Sequence, residues 1–140
     1  NRTASFSFSV RGQVVPDCRV EVGSLDFGTH GLLDQAVDAS SPIRVTCTAG
    51  SSYQVGLGHG LNGSGVNDRQ MRDLSGHSIR YDLYRDAARS QIWGLPGDGL
   101  AASSIGSGGS QSLTVHGRVP AQTTPPPGNY ADTVVVTVTY

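Results

Sequence analysis

Apolar and polar side chains alternate along several short stretches of this chain. In residues 4–15 the even positions are apolar or glycine, and the odd positions are polar up to residue 13. The same period of two recurs in residues 42–48, 53–57, 113–119 and 132–140. This period places alternate side chains on opposite faces, so it predicts β-strands with one buried face.

Residues 79–88 fit two patterns. The alternation of Ile79, Tyr81 and Leu83 predicts a strand, whereas a helical stripe would join Ile79 and Leu83 to Ala87. We favour the strand, followed by a turn.

The intervals between these stretches are short strands or loops. Val20 and Val22 predict a brief strand after Cys18. Residues 58–68 and 94–110 are rich in glycine and serine, which predicts loops. About seven short strands separated by turns are typical of an all-β fold, an antiparallel sandwich of the immunoglobulin type.

Composition supports strands and excludes several classes of function. All 10 basic residues are arginine and Glu21 is the one glutamate, so the residues that usually build helix surfaces are nearly absent. The absence of lysine excludes Schiff-base lysines and the Walker A phosphate loop. A net charge of −1 argues against general attachment to nucleic acid or to an anionic membrane. No run of 18 apolar residues would span a membrane.

The two cysteines, Cys18 and Cys47, are either free thiols or a disulfide. A glycine-rich, strand-rich chain without lysine has the character of an exported protein, which favours the bridge.

The first and last strands raise a question about pairing. The terminal stretch carries no charge after Asp132, so its outer edge has none of the usual protection against aggregation. The first strand precedes Cys18 and lies outside the main framework. It either folds back to close its own sheet or enters the sheet of a neighbouring molecule. The alternation alone leaves both possibilities open.

Signals for catalysis or metal binding are weak. The four histidines show no HExxH or HxH spacing, and zinc ligation by the two cysteines would need further ligands nearby. Asp82 and Asp86 could be a carboxylate pair, but a turn with a local Asp–Arg contact is the simpler interpretation. We therefore predict no catalytic residue, no metal and no cofactor.

Several fragments, in order, resemble a known family: VVPDC, LDFGTH, IRVTCTAG, YDLYRDAARSQIWG, LTVHGRVPA and GNYADTVVVTVTY. Their order and spacing are similar to the spore coat protein U domain, which is shared with subunits of archaic (Csu-type) chaperone–usher pili. The resemblance covers nearly the whole chain.

The resemblance implies an incomplete immunoglobulin-like antiparallel β-sandwich that lacks its last strand and is completed by donor-strand exchange. It implies residues 1–15 as an N-terminal donor-strand extension and residues 16–140 as the pilin domain. The implied partners are identical or related subunits, a periplasmic chaperone and an outer-membrane usher. The implied product is a fibre on the cell surface for adhesion and biofilm formation.

The resemblance also assigns roles to individual residues. Cys18 and Cys47 match the family's cysteine pair. The implied donor-strand residues are Ala4, Phe6, Phe8, Val10 and Gly12. The implied acceptor-groove residues are Val20, Val22, Leu113, Val115, Val134, Val136 and Val138.

Two other functions remain as alternatives. One is a spore coat or envelope matrix protein of the same fold. The other is a secreted carbohydrate-binding sandwich whose site combines Trp93 with the glycine-rich loops. Tip subunits of such pili carry an additional binding domain, so we expect these 140 residues to be a shaft or minor subunit.

Overall fold

The computed structural model describes residues 2–140, which form eight β-strands and one short 3-10 turn. None of the helical structure in this range is long and apolar enough to cross a membrane. The strands are β1 (Cys18–Val22), β2 (Val37–Cys47), β3 (Ser52–Leu57), β4 (Arg69–Arg72), β5 (Ser78–Tyr84), β6 (Ala102–Ile105), β7 (Ser110–Val119) and β8 (Val136–Thr139), and the turn is Pro96–Asp98.

The strands build two antiparallel sheets around one core. The larger sheet has the order β1-β2-β7-β5-β4, and the smaller has the order β6-β3-β8. Alternate residues of β2, namely Ile43, Val45 and Cys47, meet Val55 and Leu57 of β3 in the core between the sheets. The predicted all-β sandwich of immunoglobulin type is confirmed, and its core follows the period of two.

A disulfide joins the edge strand β1 to its neighbour β2 in the large sheet. Cys18 and Cys47 are bonded and lie directly opposite each other, with their Cα atoms 4.1 Å apart. The bridge closes a loop with a sequence separation of 29 residues, which contributes about 3–4 kcal/mol in the chain-entropy model. The favoured pairing is confirmed, and the free-thiol alternative is wrong.

A fully buried arginine holds together the end of the sandwich near β3 and β4. The Arg69 guanidinium donates to the carbonyl oxygens of Trp93 at 2.7 Å, Gly58 at 2.8 Å and Leu57 at 3.1 Å. A weaker bond reaches Val66 at 3.4 Å. Burial lowers the pKa of Arg69, but four carbonyl dipoles solvate its charge. One side chain thus ties three chain segments to the start of β4.

Trp93 is part of this core and not of the surface. Its side chain is 1% exposed, and its indole N–H donates to the Val55 carbonyl oxygen at 2.8 Å. A sugar cannot stack on a ring enclosed in this way. The placement of Trp93 in a carbohydrate site is therefore wrong.

Residues 79–83 form the centre of β5, so the strand interpretation is confirmed over the helical one. The strand predictions hold elsewhere with three exceptions. The short strand β4 was not predicted, and β6 lies in residues 94–110, which were predicted as a loop. Residues 4–15, predicted as a strand, pair with no strand of this chain. A strand needs a partner for its backbone groups, and the described residues provide none there.

We predict that Arg69→Met destabilises the domain by about 3 kcal/mol or more, because it leaves buried carbonyl oxygens without donors. Urea unfolding of the purified subunit would measure the change. The matched control is Arg72→Met, an exposed arginine on the same strand, which should change stability by less than about 0.5 kcal/mol. Equal effects of the two substitutions would contradict the role of Arg69.

Candidate functional site

The N-terminal segment is extended into solvent. Residues 2–14, here called the arm, belong to no strand, and their apolar side chains are bare: Phe6 is 94% exposed and Phe8 is 86% exposed. Ala4, Val10 and Gly12 are exposed as well. Soluble domains rarely leave an alternating apolar segment unburied, so this exposure sets the arm apart from the rest of the chain. Residue 1 lies outside the described residues.

Two strand edges of the domain are also unpaired. In the described sheets β1 pairs only with β2, and β8 pairs only with β3. The strands face each other across a gap: the Tyr140 hydroxyl lies 3.5 Å from the Asp17 carboxylate at one end, and Val22 and Val136 line the same cleft at the other. The edges therefore run antiparallel, so a strand inserted between them is parallel to one and antiparallel to the other.

A cleft of about 960 Å³ opens beside these edges and reaches them at Val22 of β1 and Val136 of β8. Its floor consists of buried core side chains from both sheets, including Ile43, Leu57 and Val119. Its walls are residues 22–31 and 124–134. A cleft of this size and lining could take several apolar side chains from another segment.

Four of the seven predicted acceptor residues line this cleft: Val22, Val115, Val134 and Val136. Val20 lies outside the lining on the exposed part of β1, where it is 41% exposed. Leu113 and Val138 are also outside the lining and pack partly buried against the core. The structure thus places the first four together at the gap.

Sequence reasoning missed the segment that forms one wall. Leu25 and Phe27 fold inward against the core, and the Phe27 ring lies 6.3 Å from the Tyr81 ring. They can do so because β7 carries Gly117, where an added Cβ would lie 2.6 Å from Leu25 and 2.9 Å from Phe27. A glycine inside an apolar strand pattern was the available signal for this close approach.

Asp132 fixes the opposite wall. Its carboxylate accepts from the Tyr81 hydroxyl at 2.5 Å and from the backbone N–H groups of Leu61 and Thr133, both at 2.9 Å. Burial, with the nearby carboxylate, raises the pKa of Tyr81, so this hydroxyl stays protonated and remains a donor. The residues before β8 are therefore held in place without an occupant in the cleft.

Gln122 supports the same wall. Its side-chain amide accepts from the Arg80 N–H at 3.0 Å and donates to the Arg80 carbonyl oxygen at 2.9 Å. The amide thus replaces a strand pair where β7 ends and residues 124–134 begin.

The turn after β5 differs from its prediction. Asp86 accepts from the backbone N–H groups of Ser90 and Gln91, and from the Ser90 hydroxyl, rather than from an arginine. These hydrogen bonds lower the pKa of Asp86 to about 2. Arg85, which lies between Asp82 and Asp86 in the sequence, donates instead to the Ala101 carbonyl oxygen at 3.3 Å, and the expected local Asp–Arg contact is wrong. The turn is a local hydrogen-bonded loop away from the cleft lining.

Comparisons with known proteins agree with this architecture. The chain matches the Spore Coat Protein U domain model over residues 4–137. It is 33% identical over 131 residues to Protein U of Myxococcus xanthus, which covers 84% of this chain and 72% of that protein.

The fold is similar to a chain in the CsuC–CsuE chaperone–tip adhesion subunit pre-assembly complex from archaic chaperone–usher Csu pili of Acinetobacter baumannii. The TM-score is 0.66 with 27% identity, over 91% of this chain and 40% of that chain. This chain therefore spans less than half of the pilus chain that it matches.

The named relatives belong to a spore coat and to a pilus, which are structural assemblies rather than enzymes. Proteins of this group are exported to the cell surface. The resemblance seen in the sequence fragments is confirmed: the chain belongs to the Spore Coat Protein U domain family, and its sandwich has the pilin-type fold.

Proposed function

We propose that this chain is a structural subunit that polymerises head to tail, with the arm of one copy inserted into the cleft of the next. One observation carries the proposal: the same chain has a bare apolar arm and an open apolar cleft between two unpaired strand edges. In this division residues 1–15 are the donor extension and residues 16–140 are the receiving domain.

The spacing of the arm suits the cleft. Successive even positions of a strand lie about 7 Å apart on one face, so Ala4, Phe6, Phe8 and Val10 form a row of side chains about 20 Å long. The five residues of β1 cover about 17 Å. Gly12 follows the row and can allow a bend where the arm leaves the cleft.

Insertion would satisfy both the backbone and the side chains. The unpaired edges of β1 and β8 gain hydrogen-bond partners, which sets the direction and register of the arm. Burying two phenylalanines and one valine is worth about 5–8 kcal/mol before the cost of ordering the arm. Neither surface is covered within one described chain, so association of two copies would bury both surfaces and pair the free strand edges.

The geometry of this contact leads to a fibre. The arm and the cleft are different surfaces, so the interface is heterologous and a second copy presents a new free cleft. Such a contact continues along a filament unless the rotation closes a ring. We infer a fibre on the cell surface with roles in adhesion and biofilm formation.

The proposed assembly also needs help during export. An apolar cleft with free strand edges is prone to aggregation, so a strand lent by a periplasmic chaperone would protect it. An outer-membrane usher would then exchange that strand for an arm. The similarity to a pilus subunit solved in a chaperone complex supports these partners.

A second candidate is a spore coat or envelope matrix that uses the same contact. The family description and the similarity to Protein U favour it. Negative-stain microscopy of assembled material separates the two, since thin fibres support the pilus and an amorphous shell supports the coat.

We predict that Phe8→Asp abolishes polymerisation and leaves the stability of the lone domain unchanged, because Phe8 contacts no core in the isolated chain. Size-exclusion chromatography and unfolding of the monomer would measure both effects. The matched control is Ser7→Asp, on the opposite face of the arm, which should still polymerise. If Phe8→Asp unfolds the monomer, the arm belongs to its own domain.

We predict that two half-defective variants form a heterodimer. Val22→Asp places a charge in the cleft and spares the arm, whereas Phe8→Asp spoils the arm and spares the cleft. Each variant alone should stay monomeric, and a 1:1 mixture should yield dimers that grow no further. Glu21→Gln, on the other face of β1, should polymerise as the unchanged chain does. Long fibres from the mixture would contradict head-to-tail insertion.

A further inference from the structure

The arm joins the domain at a point fixed by one threonine. The Thr48 N–H donates to the Asp17 carbonyl oxygen, and the Asp17 N–H donates to the Thr48 hydroxyl oxygen, both at 2.9 Å. That hydroxyl also lies 3.2 Å from the Asp17 carbonyl oxygen and 3.4 Å from that of Val15. These contacts extend the β1–β2 ladder one pair beyond the disulfide.

This junction lies beside the domain's own cleft. Asp17 comes directly before β1, whose free edge borders the gap, and it also contacts Tyr140 at the end of β8. The nearest arm to any cleft is therefore the one on the same chain. A short tether gives an effective concentration in the millimolar range, so self-insertion should outcompete a second copy unless something prevents it.

We propose that Thr48 and Pro16 keep the arm from folding back, so that the cleft remains free for a second copy of this chain. Thr48 is a positioning residue, because its hydrogen bonds to Asp17 fix the base of the arm. Pro16 opposes the backbone turn that would return the arm to its own cleft. The inference rests on the proposed function, because it assumes that the arm can occupy such a cleft.

Register excludes the shortest turns. Val22 faces the cleft, so the even positions of β1 point inward. A two-residue turn at 15–16 or 16–17 pairs even positions of β1 with odd positions of the arm. Directly opposed residues share a face, so the polar side chains Ser9, Arg11 and Gln13 would enter the cleft.

A three-residue turn over residues 15–17 restores the register but requires a conformation that proline disfavours. Such a turn is usually a type I turn followed by a left-handed residue. Pro16 would take the third position of the type I turn, where proline forces Val15 out of the helical region. Asp17 would take the left-handed position and lose both of its backbone bonds to Thr48. The junction thus resists the shortest turn that would seat the apolar face, and longer loops would leave fewer arm residues to fill the cleft.

The test is to permit that turn and follow the arm in the monomer. The variant combines Pro16→Asn, Asp17→Gly and Thr48→Val, which supply turn residues and remove the hydroxyl. Arg11 in the arm is a natural trypsin site that reports exposure. We expect purified variant monomers to form at least 90% less polymer than unchanged monomers. Trypsin should also cleave them at Arg11 at least ten times more slowly.

Two controls isolate the cause. Phe8→Asp in the variant background should restore rapid cleavage, because an arm without its apolar face cannot fill the cleft. Thr48→Ser, which keeps the hydroxyl, should behave as the unchanged chain. If the triple variant fails to fold, the double variant Pro16→Asn with Thr48→Val must still raise the protected monomer fraction severalfold over Pro16→Asn with Thr48→Ser.

The outcomes separate this inference from the proposed function. Rapid cleavage and normal polymers from the folded variant would overturn the role of Thr48 and Pro16, as would protection of Arg11 in unchanged monomers. A protected variant monomer together with an unchanged chain that never polymerises would support the inference and refute the proposed fibre.

Discussion

The structure depends on a mismatch between the number of strands and the size of the core. Among the outer edges of the two sheets, those of β1 and β8 face each other without a strand between them, and the apolar floor beside them stays uncovered. Unpaired backbone groups and bare apolar surface both cost free energy in water. The arm has the alternation of a strand but pairs with neither edge in the described structure. In the proposed assembly, the arm of a second copy covers both the edges and the floor.

The cleft stays open because its walls are held by polar contacts that do not need an occupant. Asp132 binds Tyr81 and the loop at Leu61, and Gln122 pairs with Arg80 where β7 ends. These contacts fix the wall before any strand arrives. A preformed site lowers the ordering cost of binding, so more of the apolar burial appears as affinity. In the proposed contact, the remaining ordering cost lies in the arm.

The sequence predicted the parts of the fold that a period of two describes. β2, β3, β5, β7 and β8 each turn alternate apolar residues toward the core, and the disulfide was favoured separately, from the exported character of the chain. β4 (RQMR) and β6 (ASSI) escaped prediction, because polar side chains dominate them and their pairing is set by neighbouring strands. The cleft was predicted only in outline, because Leu25 and Phe27 fold inward over Gly117 without a strand pattern.

Arg69 shows a different limit of sequence reasoning. A lone arginine in a short polar strand reads as a surface residue, yet it is fully buried and bonded to carbonyl oxygens from separate segments. No spacing along the chain reveals such a contact, because its acceptors are backbone groups that carry no sequence signal. The charge can be buried because the tertiary structure brings the end of β3, the following loop and Trp93 together, and their carbonyl oxygens solvate it.

The alternation of the arm has two consequences that follow from one pattern. It places an apolar row on one face, which makes the arm a strand able to fill a cleft. Because of the same alternation, a two-residue turn before β1 would point the polar row of the arm into its own cleft. A three-residue turn would restore the register, but Pro16 opposes it. In the proposed assembly, an arm whose alternation suits a neighbour's cleft is therefore poorly suited to its own, because of the register between residues 4–14 and β1.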